Sequence, residues 1–134
     1  MPIFGDDILV RTLLLPPHPP RRWLARNRLD RLLVKAVEYP LTVVSASAGY
    51  GKSAVLASLA GGDDVPLIWY TLGDGCDDPL VFLGHLIQAC RNHQTIGTGS
   101  QVGTRALDIL QHGGSGAHVW SRTLDSLIND LVSV

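Results

Sequence analysis

The segment "ASAGYGKS" (residues 46–53) constrains the fold more than any other feature of this chain. It joins "LTVV", a short β-branched run, to "AVLASLA", a run typical of a helix. The pattern matches the phosphate-binding loop GxxxxGK[ST], with Ala46 in the first position. The alternative is an ordinary glycine-rich turn with a solvated lysine. Because apolar elements flank the segment on both sides, the sequence predicts a strand, a phosphate loop and a helix in that order.

Each position of this loop has a chemical reason. Gly49 and Gly51 can take positive φ, which lets backbone N–H groups wrap closely around a phosphate. Lys52 can reach the β- and γ-phosphates, Ser53 can offer its hydroxyl to Mg²⁺, and the following helix directs its positive end at the anion. The predicted nucleotide-binding residues of the loop are Ala46, Ala48, Gly49, Tyr50, Gly51, Lys52 and Ser53, and Ser53 is also the predicted metal ligand.

Hydrophobic periodicity predicts an α/β fold. Strands that alternate with helices indicate crossover connections and a parallel sheet covered by helices on both faces. Two strands alone make a poor sheet, so either the pattern misses further strands or this chain is the front part of a larger domain. The predicted strands are 41–47 and 65–72, and the predicted helices run from an Asn27 cap to Pro40, over 52–60, from an Asp78 cap to Cys90 and over 118–134. The first helix has an apolar stripe of Leu29, Leu32, Leu33, Ala36 and Val37, and the last has one of Leu124, Leu127, Ile128 and Leu131.

The rest of the composition excludes several classes of function. Residues 1–25 are rich in proline and predict an extended arm, and the first 35 residues are basic while the remainder is acidic. Cys76 and Cys90 lack metal-ligand spacing, which favours reduced thiols. With no secretory signal and no long apolar run, we expect a cytoplasmic protein without a membrane partner. The five histidines are scattered and predict no catalytic site, and Asp78 is better explained as a helix cap than as a metal ligand.

The loop and its surroundings resemble the MalT-like signal-transduction ATPases, the STAND class of bacterial regulators that often end in a LuxR-type DNA-binding domain. "VVSASAGYGKSAVL" is similar to the "SAPAGYGKTTL" loop of that family, with Ser47 and Ser53 in place of Pro and Thr. The arm "RTLLLPPHPPRRWLARNRLDRLL" and the segment "WYTLGDGCDDPLVFLGHLIQA" also have counterparts there. Leu13 replaces a lysine of the family, and Gly73 and Cys76 stand where acids are common. The resemblance covers about residues 8–133.

This resemblance implies a P-loop NTPase-type three-layer parallel sheet with flanking helices. It implies an N-terminal arm at 1–25 and the N-terminal portion of an NTPase domain at 26–134. ATP and ADP, with Mg²⁺, would act as a switch in a regulator of transcription, with Arg26 and Arg28 near the adenine and phosphates. DNA would be contacted only through a C-terminal domain absent from this chain, and the intact protein could self-associate.

Hydrolysis requires acids that this sequence does not place. An acid that holds Mg²⁺ usually follows a strand of four apolar residues, "hhhhD[DE]", and no such run is present. We therefore expect a truncated piece with no catalytic residue, weak nucleotide binding at most, and no turnover. One alternative is a small metabolite kinase, against which the loop 92–104 counts because it lacks the arginines of a lid. The other is a non-catalytic interaction module with a basic arm.

Overall fold

The computed structural model describes residues 9–18, 24, 26–61, 67–93, 101–114 and 116–133. Backbone contacts divide the chain into two compact units. The loop unit runs from Pro16 to Leu67, and the helical unit joins the chain up to Leu15 with the chain from Ile68 onward. The described elements are a 3₁₀ helix at Arg11–Leu14 and the helices α1 (Asn27–Ala36), α2 (Lys52–Ala60), α3 (Pro79–Asn92), α4 (Thr104–His112) and α5 (Ala117–Val132).

The predicted parallel sheet is wrong for the described part of the chain, which is helical and contains no strand. Residues 41–47 and 67–73 have no regular secondary structure, while residues 65 and 66 of the second predicted strand lie outside the description. Val43 is 77% exposed, although its β-branched run predicted a buried strand. Strand propensity describes how a residue fits a sheet that already exists, and backbone pairing with a neighbour creates that sheet. The α/β assignment with a three-layer sheet is therefore corrected to a helical architecture.

In the loop unit, α2 confirms its prediction and α1 differs from it. α2 begins at Lys52 and stops at Gly61, whose N–H donates to the Ala57 carbonyl (3.1 Å). α1 begins at Asn27 itself, with Arg26 in the cap position and no side-chain cap bond, so the predicted Asn27 cap is wrong. No α1 residue is buried, and the predicted apolar stripe of this helix stays largely open.

The helical unit has a continuous core formed by α3, α4 and α5. The cap of α3 confirms the sequence prediction, because Asp78 Oδ1 accepts a hydrogen bond from the Leu80 N–H (2.8 Å) and Pro79 occupies the first helical position. Both cysteines are free, and Cys90 belongs to the core. The buried core residues are Leu83, Ile87, Cys90, Val102, Ala106, Leu110 and Leu127.

Helix α4 is an element that the sequence analysis missed. Its apolar residues recur three and four positions apart (Ala106, Ile109, Leu110), which is a helical signal in a short segment. Gly103 precedes the helix at φ +74°, and its N–H donates to Asp130 Oδ2 of α5 (2.8 Å). A Cβ on Gly103 would come within 2.7 Å of Ile87 Cγ2. Asp130 thus ties the start of α4 to α5.

The α5 helix is confirmed, but its predicted core stripe is only partly right. Leu127 is 1% exposed, whereas Ile128 is 47% exposed. The buried face instead includes Thr123, whose hydroxyl donates to the Val119 carbonyl (2.8 Å). A threonine satisfied in this way can be buried, and an apolar pattern cannot identify it.

The proline-rich arm is described only in part. Arg11–Leu14 form the 3₁₀ helix where an extended chain was predicted, and Leu14 is buried. The Leu13 carbonyl accepts a hydrogen bond from the Thr71 N–H (2.7 Å). Residues 1–8, 19–23 and 25 lie outside the description, so the predicted arm and domain boundaries stay predictions.

Candidate nucleotide-binding loop

The loop before α2 depends on two glycines with left-handed backbone conformations. Gly49 has φ +82° and Gly51 has φ +79°, as the sequence predicted. No atom lies within 4 Å of a Cβ built on either residue, so the backbone angle rather than space calls for glycine here. The Tyr50 N–H donates to the Ser47 carbonyl (3.5 Å), with Ala48 and Gly49 inside the turn. The loop therefore reverses the chain in a few residues and delivers it to the start of α2.

Lys52 is held against the loop by its own ammonium group. Its Nζ donates to the carbonyls of Ala46 (2.5 Å) and Ser47 (2.9 Å). Among the described carboxylates, none forms a salt bridge with this lysine. An ammonium has three donors, so one remains for another acceptor. The arrangement puts an unneutralised positive charge at the N-terminus of α2.

The first turn of α2 adds backbone donors to this charge. Val55 is the residue whose N–H closes the first helical bond, to the Gly51 carbonyl (3.0 Å). The N–H groups at the start of a helix have no intrahelical acceptor and carry the positive end of the helix dipole. Ser53 lies in this turn with an exposed side chain. Lys52 and the first turn therefore form an electropositive group suited to an anion.

A cavity of about 390 Å³ opens beside the loop within the same unit. Its size falls in the range of small-molecule sites. Arg26 and Lys52 supply its charged groups, and Tyr50 stands at its edge with an exposed ring. The remaining lining residues are Leu29, Leu32, Leu33, Val43, Val44, Ser45, Ala46, Gly51 and Val55.

The structure brings some of the predicted site residues together and separates others. Arg26 lines the loop cavity together with Lys52, and its place near a ligand stays a prediction. Arg28 does not line it and instead faces a second cavity of about 680 Å³ with Asp30, Arg31 and Lys35. Ser53, Ala48 and Gly49 are outside the lining of either cavity. The pairing of Arg26 and Arg28 at one site therefore does not follow from this geometry.

Sequence reasoning missed the apolar wall of the loop cavity. The stripe of α1 was predicted as core, yet Leu29 and Leu32 are exposed and face the cavity instead. Val43 and Val44, predicted as strand residues, form another part of the wall. The same apolar pattern is expected of a core and of an open apolar cavity, so no signal in the sequence could separate the two.

Among the described residues, titratable and metal-binding groups outside the loop cavity do not form a metal centre. Within the described ranges, no three His, Cys, Asp or Glu side chains are grouped to hold a metal ion. In the helical unit, burial and a hydrogen bond from or to Cys76 Sγ (3.3 Å) raise the pKa of Tyr70 above its usual range. Burial likewise raises the pKa of the Cys90 thiol.

Comparison with characterised proteins finds regulators that are much longer than this chain. The HTH-type transcriptional regulator MalT of Serratia proteamaculans is 34% identical over 82 residues, which are 61% of this chain and 9% of that protein. MalT of Yersinia enterocolitica is 40% identical over 82 residues, 58% of this chain and 9% of that protein. MalT of Vibrio cholerae is 36% identical over 66 residues, 49% of this chain and 7% of that protein. Over these residues, this chain is similar to MalT regulators.

This similarity confirms the resemblance to MalT-like regulators that the loop predicted. The chain spans about 9% of the length of these MalT relatives. No protein-family model matches it, and no solved structure gives a significant match. Across the described residues, every helix is too short or too polar to cross a membrane.

Proposed function

We propose that this chain binds ATP or ADP, with Mg²⁺, through the loop Ala46–Ser53. The proposal rests on one observation. Lys52, the first turn of α2 and an apolar cavity all lie at one loop, which two positive-φ glycines shape. Backbone donors and a lysine charge suit a phosphate, and an apolar cavity suits a nucleobase. In this proposal the phosphates meet the loop and the base enters the cavity.

Lys52 is the central residue of the proposal. A phosphate oxygen is a stronger acceptor than the Ala46 and Ser47 carbonyls because the bond is then charge-assisted on both sides. In the proposed complex, the ammonium exchanges those carbonyls for phosphate oxygens. Ser53 offers its hydroxyl to Mg²⁺, and Arg26 adds a second positive charge at the cavity. Arg28 has no direct contact in this proposal because it lines the other cavity.

The role of the whole protein is proposed from its relatives. They are named transcriptional regulators, which supports a STAND-type signalling ATPase in which nucleotide exchange controls transcription. We propose that DNA contact belongs to a C-terminal domain beyond this chain, that the intact protein self-associates, and that it works in the cytoplasm. No residue of this chain is assigned to hydrolysis, so the proposed chemistry here is binding.

Equilibrium titration with a fluorescent ATP analogue and Mg²⁺ tests the loop. Lys52→Ala removes the phosphate-facing charge and should weaken binding by at least about tenfold, a loss of about 1.4 kcal/mol. Lys35→Ala is the matched control, because it removes one lysine charge from α1 at the second cavity. The control should bind within about twofold of wild type, since a distant exposed charge contributes little. Equal affinity of wild type and Lys52→Ala would refute the proposal.

Salt dependence separates this proposal from a basic-arm interaction module. A module that binds through scattered cations should lose affinity steeply with salt and should be indifferent to Lys52→Ala. A built phosphate loop keeps a specific dependence on Lys52 at each salt concentration. Steady ATP turnover that disappears in Lys52→Ala would show that catalytic acids are present after all.

A further inference from the structure

Helix α1 carries three cationic side chains on one face. Arg28, Arg31 and Lys35 recur three and four positions apart, and residues at this spacing are neighbours on a helix surface. All three residues are exposed. Arg31 Nε donates to the Asn27 carbonyl (3.1 Å), which uses one of the N–H donors of its guanidinium group. Positive charge is therefore concentrated along one side of a regular element.

The second cavity, of about 680 Å³, opens along this face, and we refer to it as the α1 cavity. Its volume lies within the range of small-molecule sites. Three positive side chains and one negative side chain give the described lining a formal charge of +2 (three minus one). The described lining residues are Arg28, Asp30, Arg31, Leu32, Val34 and Lys35. The α1 cavity therefore favours an anion and also offers an apolar wall.

The α1 cavity and the loop cavity are different sites on the same helix. Leu29 and Leu33 line the loop cavity, whereas Arg31 and Lys35 line the α1 cavity. Among the residues that the structure describes, Leu32 alone lines both. The described lining of the α1 cavity includes no residue of the phosphate loop. A ligand of the α1 cavity is therefore a different ligand from the nucleotide proposed for the loop.

We propose that the α1 cavity binds a small organic molecule that carries a phosphate monoester. Such a group has a charge between about −1.5 and −2 at neutral pH, which matches the excess positive charge of the described lining, whereas a carboxylate neutralises only half of it. Guanidinium groups bind phosphate oxygens through paired N–H donors, and these charge-assisted bonds are stronger than neutral ones. The phosphate meets Arg28, Arg31 and Lys35, and the organic part packs on Leu32 and Val34.

Isothermal titration with phenyl phosphate, a phosphate monoester on an apolar ring, tests the site. Arg31→Gln removes the guanidinium and keeps a side chain that suits a helix, so affinity for the probe should fall by at least about tenfold. Arg105→Gln is the matched control, because Arg105 is an exposed arginine of α4. The control should bind within about twofold of wild type. A wild-type chain that does not bind phenyl phosphate, or an Arg31→Gln chain that binds it equally well, would overturn the proposal.

Two further variants change the charge of the α1 cavity and leave the Arg31–Asn27 hydrogen bond in place. Arg28→Gln should weaken phenyl phosphate binding by at least about threefold, and it decides the matter should Arg31→Gln lose helicity by circular dichroism. Asp30→Asn removes a carboxylate that repels the anion, so it should tighten binding by about threefold. A general loss of structure cannot increase affinity. Weaker binding in Asp30→Asn would contradict the electrostatic basis of the site.

Three other probes define the ligand class. Benzoate keeps the ring with a single charge, and inorganic phosphate keeps the charge without the ring, so each should bind at least about fivefold more weakly than phenyl phosphate. Equal affinity for the three anions would contradict a site for an organic phosphate. Vesicles that contain phosphatidic acid present the same monoester on a lipid surface. Binding to these vesicles without binding of phenyl phosphate would overturn the assignment to a small molecule.

Lys52→Ala separates this site from the phosphate loop. Lys52 is not part of the described lining of the α1 cavity, so this variant should bind phenyl phosphate within about twofold of wild type. Loss of the probe in Lys52→Ala, with full binding in Arg31→Gln, would place phenyl phosphate at the loop. That result would overturn the present proposal and leave the nucleotide proposal intact.

Discussion

The two units of the chain acquire their structure in different ways. In the loop unit, α1 buries no residue, Leu32 is 53% exposed, and the defining feature is a backbone turn at two glycines. In the helical unit, Leu127 is 1% exposed within a core shared by three helices. Local backbone conformation shapes the first unit, and side-chain packing shapes the second. The candidate binding site thus lies in the loop unit, the unit that buries fewer apolar side chains.

Truncation of a leucine in each unit gives the largest expected contrast. Leu127→Ala removes buried methyl groups and leaves a cavity in the core, so it should lower the free energy of unfolding by about 2–5 kcal/mol. Leu32→Ala removes the same atoms from an exposed α1 site and should cost less than about 1 kcal/mol. Urea unfolding followed by circular dichroism measures both. A similar loss of unfolding free energy in the two variants would contradict this difference between the units.

Alanine at a positive-φ glycine sharpens the same comparison. Gly51→Ala places a Cβ in open space, so strain of about 1–2 kcal/mol is the whole expected cost. In Gly103→Ala, the new Cβ is also overpacked against Ile87. This variant should therefore lower the free energy of unfolding by about 1–3 kcal/mol more than Gly51→Ala does. Urea unfolding again gives the stabilities. Nucleotide-analogue binding should fall in Gly51→Ala and stay unchanged in Gly103→Ala, and the reverse ranking would contradict the separate roles of the two glycines.

The smallest expected effect is an alkaline one in the helical unit. Because burial and the Cys76 contact raise the pKa of Tyr70, the folded chain keeps the phenol proton at a pH where the unfolded chain has lost it. This contribution to stability is fully present below the usual tyrosine pKa of about 10 and declines as the pH rises above it. Urea midpoints at about pH 8 and about pH 11 measure the decline.

Tyr70→Phe should reduce that alkaline decline, because phenylalanine has no proton to lose. Tyr39→Phe is the matched control, since Tyr39 is an exposed tyrosine of the loop unit. The control should decline as the wild-type chain does. An equal decline in wild type and Tyr70→Phe would assign the alkaline sensitivity to another group.

Predictions from the sequence succeeded where neighbouring residues supply the cause. The Asp78 cap, the Gly61 stop and the positive φ of Gly49 and Gly51 depend on interactions within a few residues. The phosphate-loop motif also led to the MalT-like assignment that comparison confirmed. Its predicted ligands stay predictions, to be decided by the binding of Lys52→Ala.

Predictions failed where a distant partner decides the outcome. The apolar runs at 41–47 and 65–72 carried strand propensity, but a strand needs a paired neighbour and the described part of the chain provides none. The resemblance grouped Arg28 with Arg26; the two residues line different cavities, and their role at a ligand stays a prediction. Helix α4 was overlooked because its apolar signal is short, although its packing against α5 is extensive.

The sequence by itself determined the loop turn, the start of α2, the cap of α3 and the relationship to MalT regulators. These depend on backbone angles, short-range hydrogen bonds and a contiguous motif, all of which are local. Only the tertiary structure decided that His85 receives the Val10 N–H from 75 residues away and that Asp130 holds Gly103. A buried polar group needs a partner, and packing rather than order along the chain chooses which partner comes within hydrogen-bonding distance.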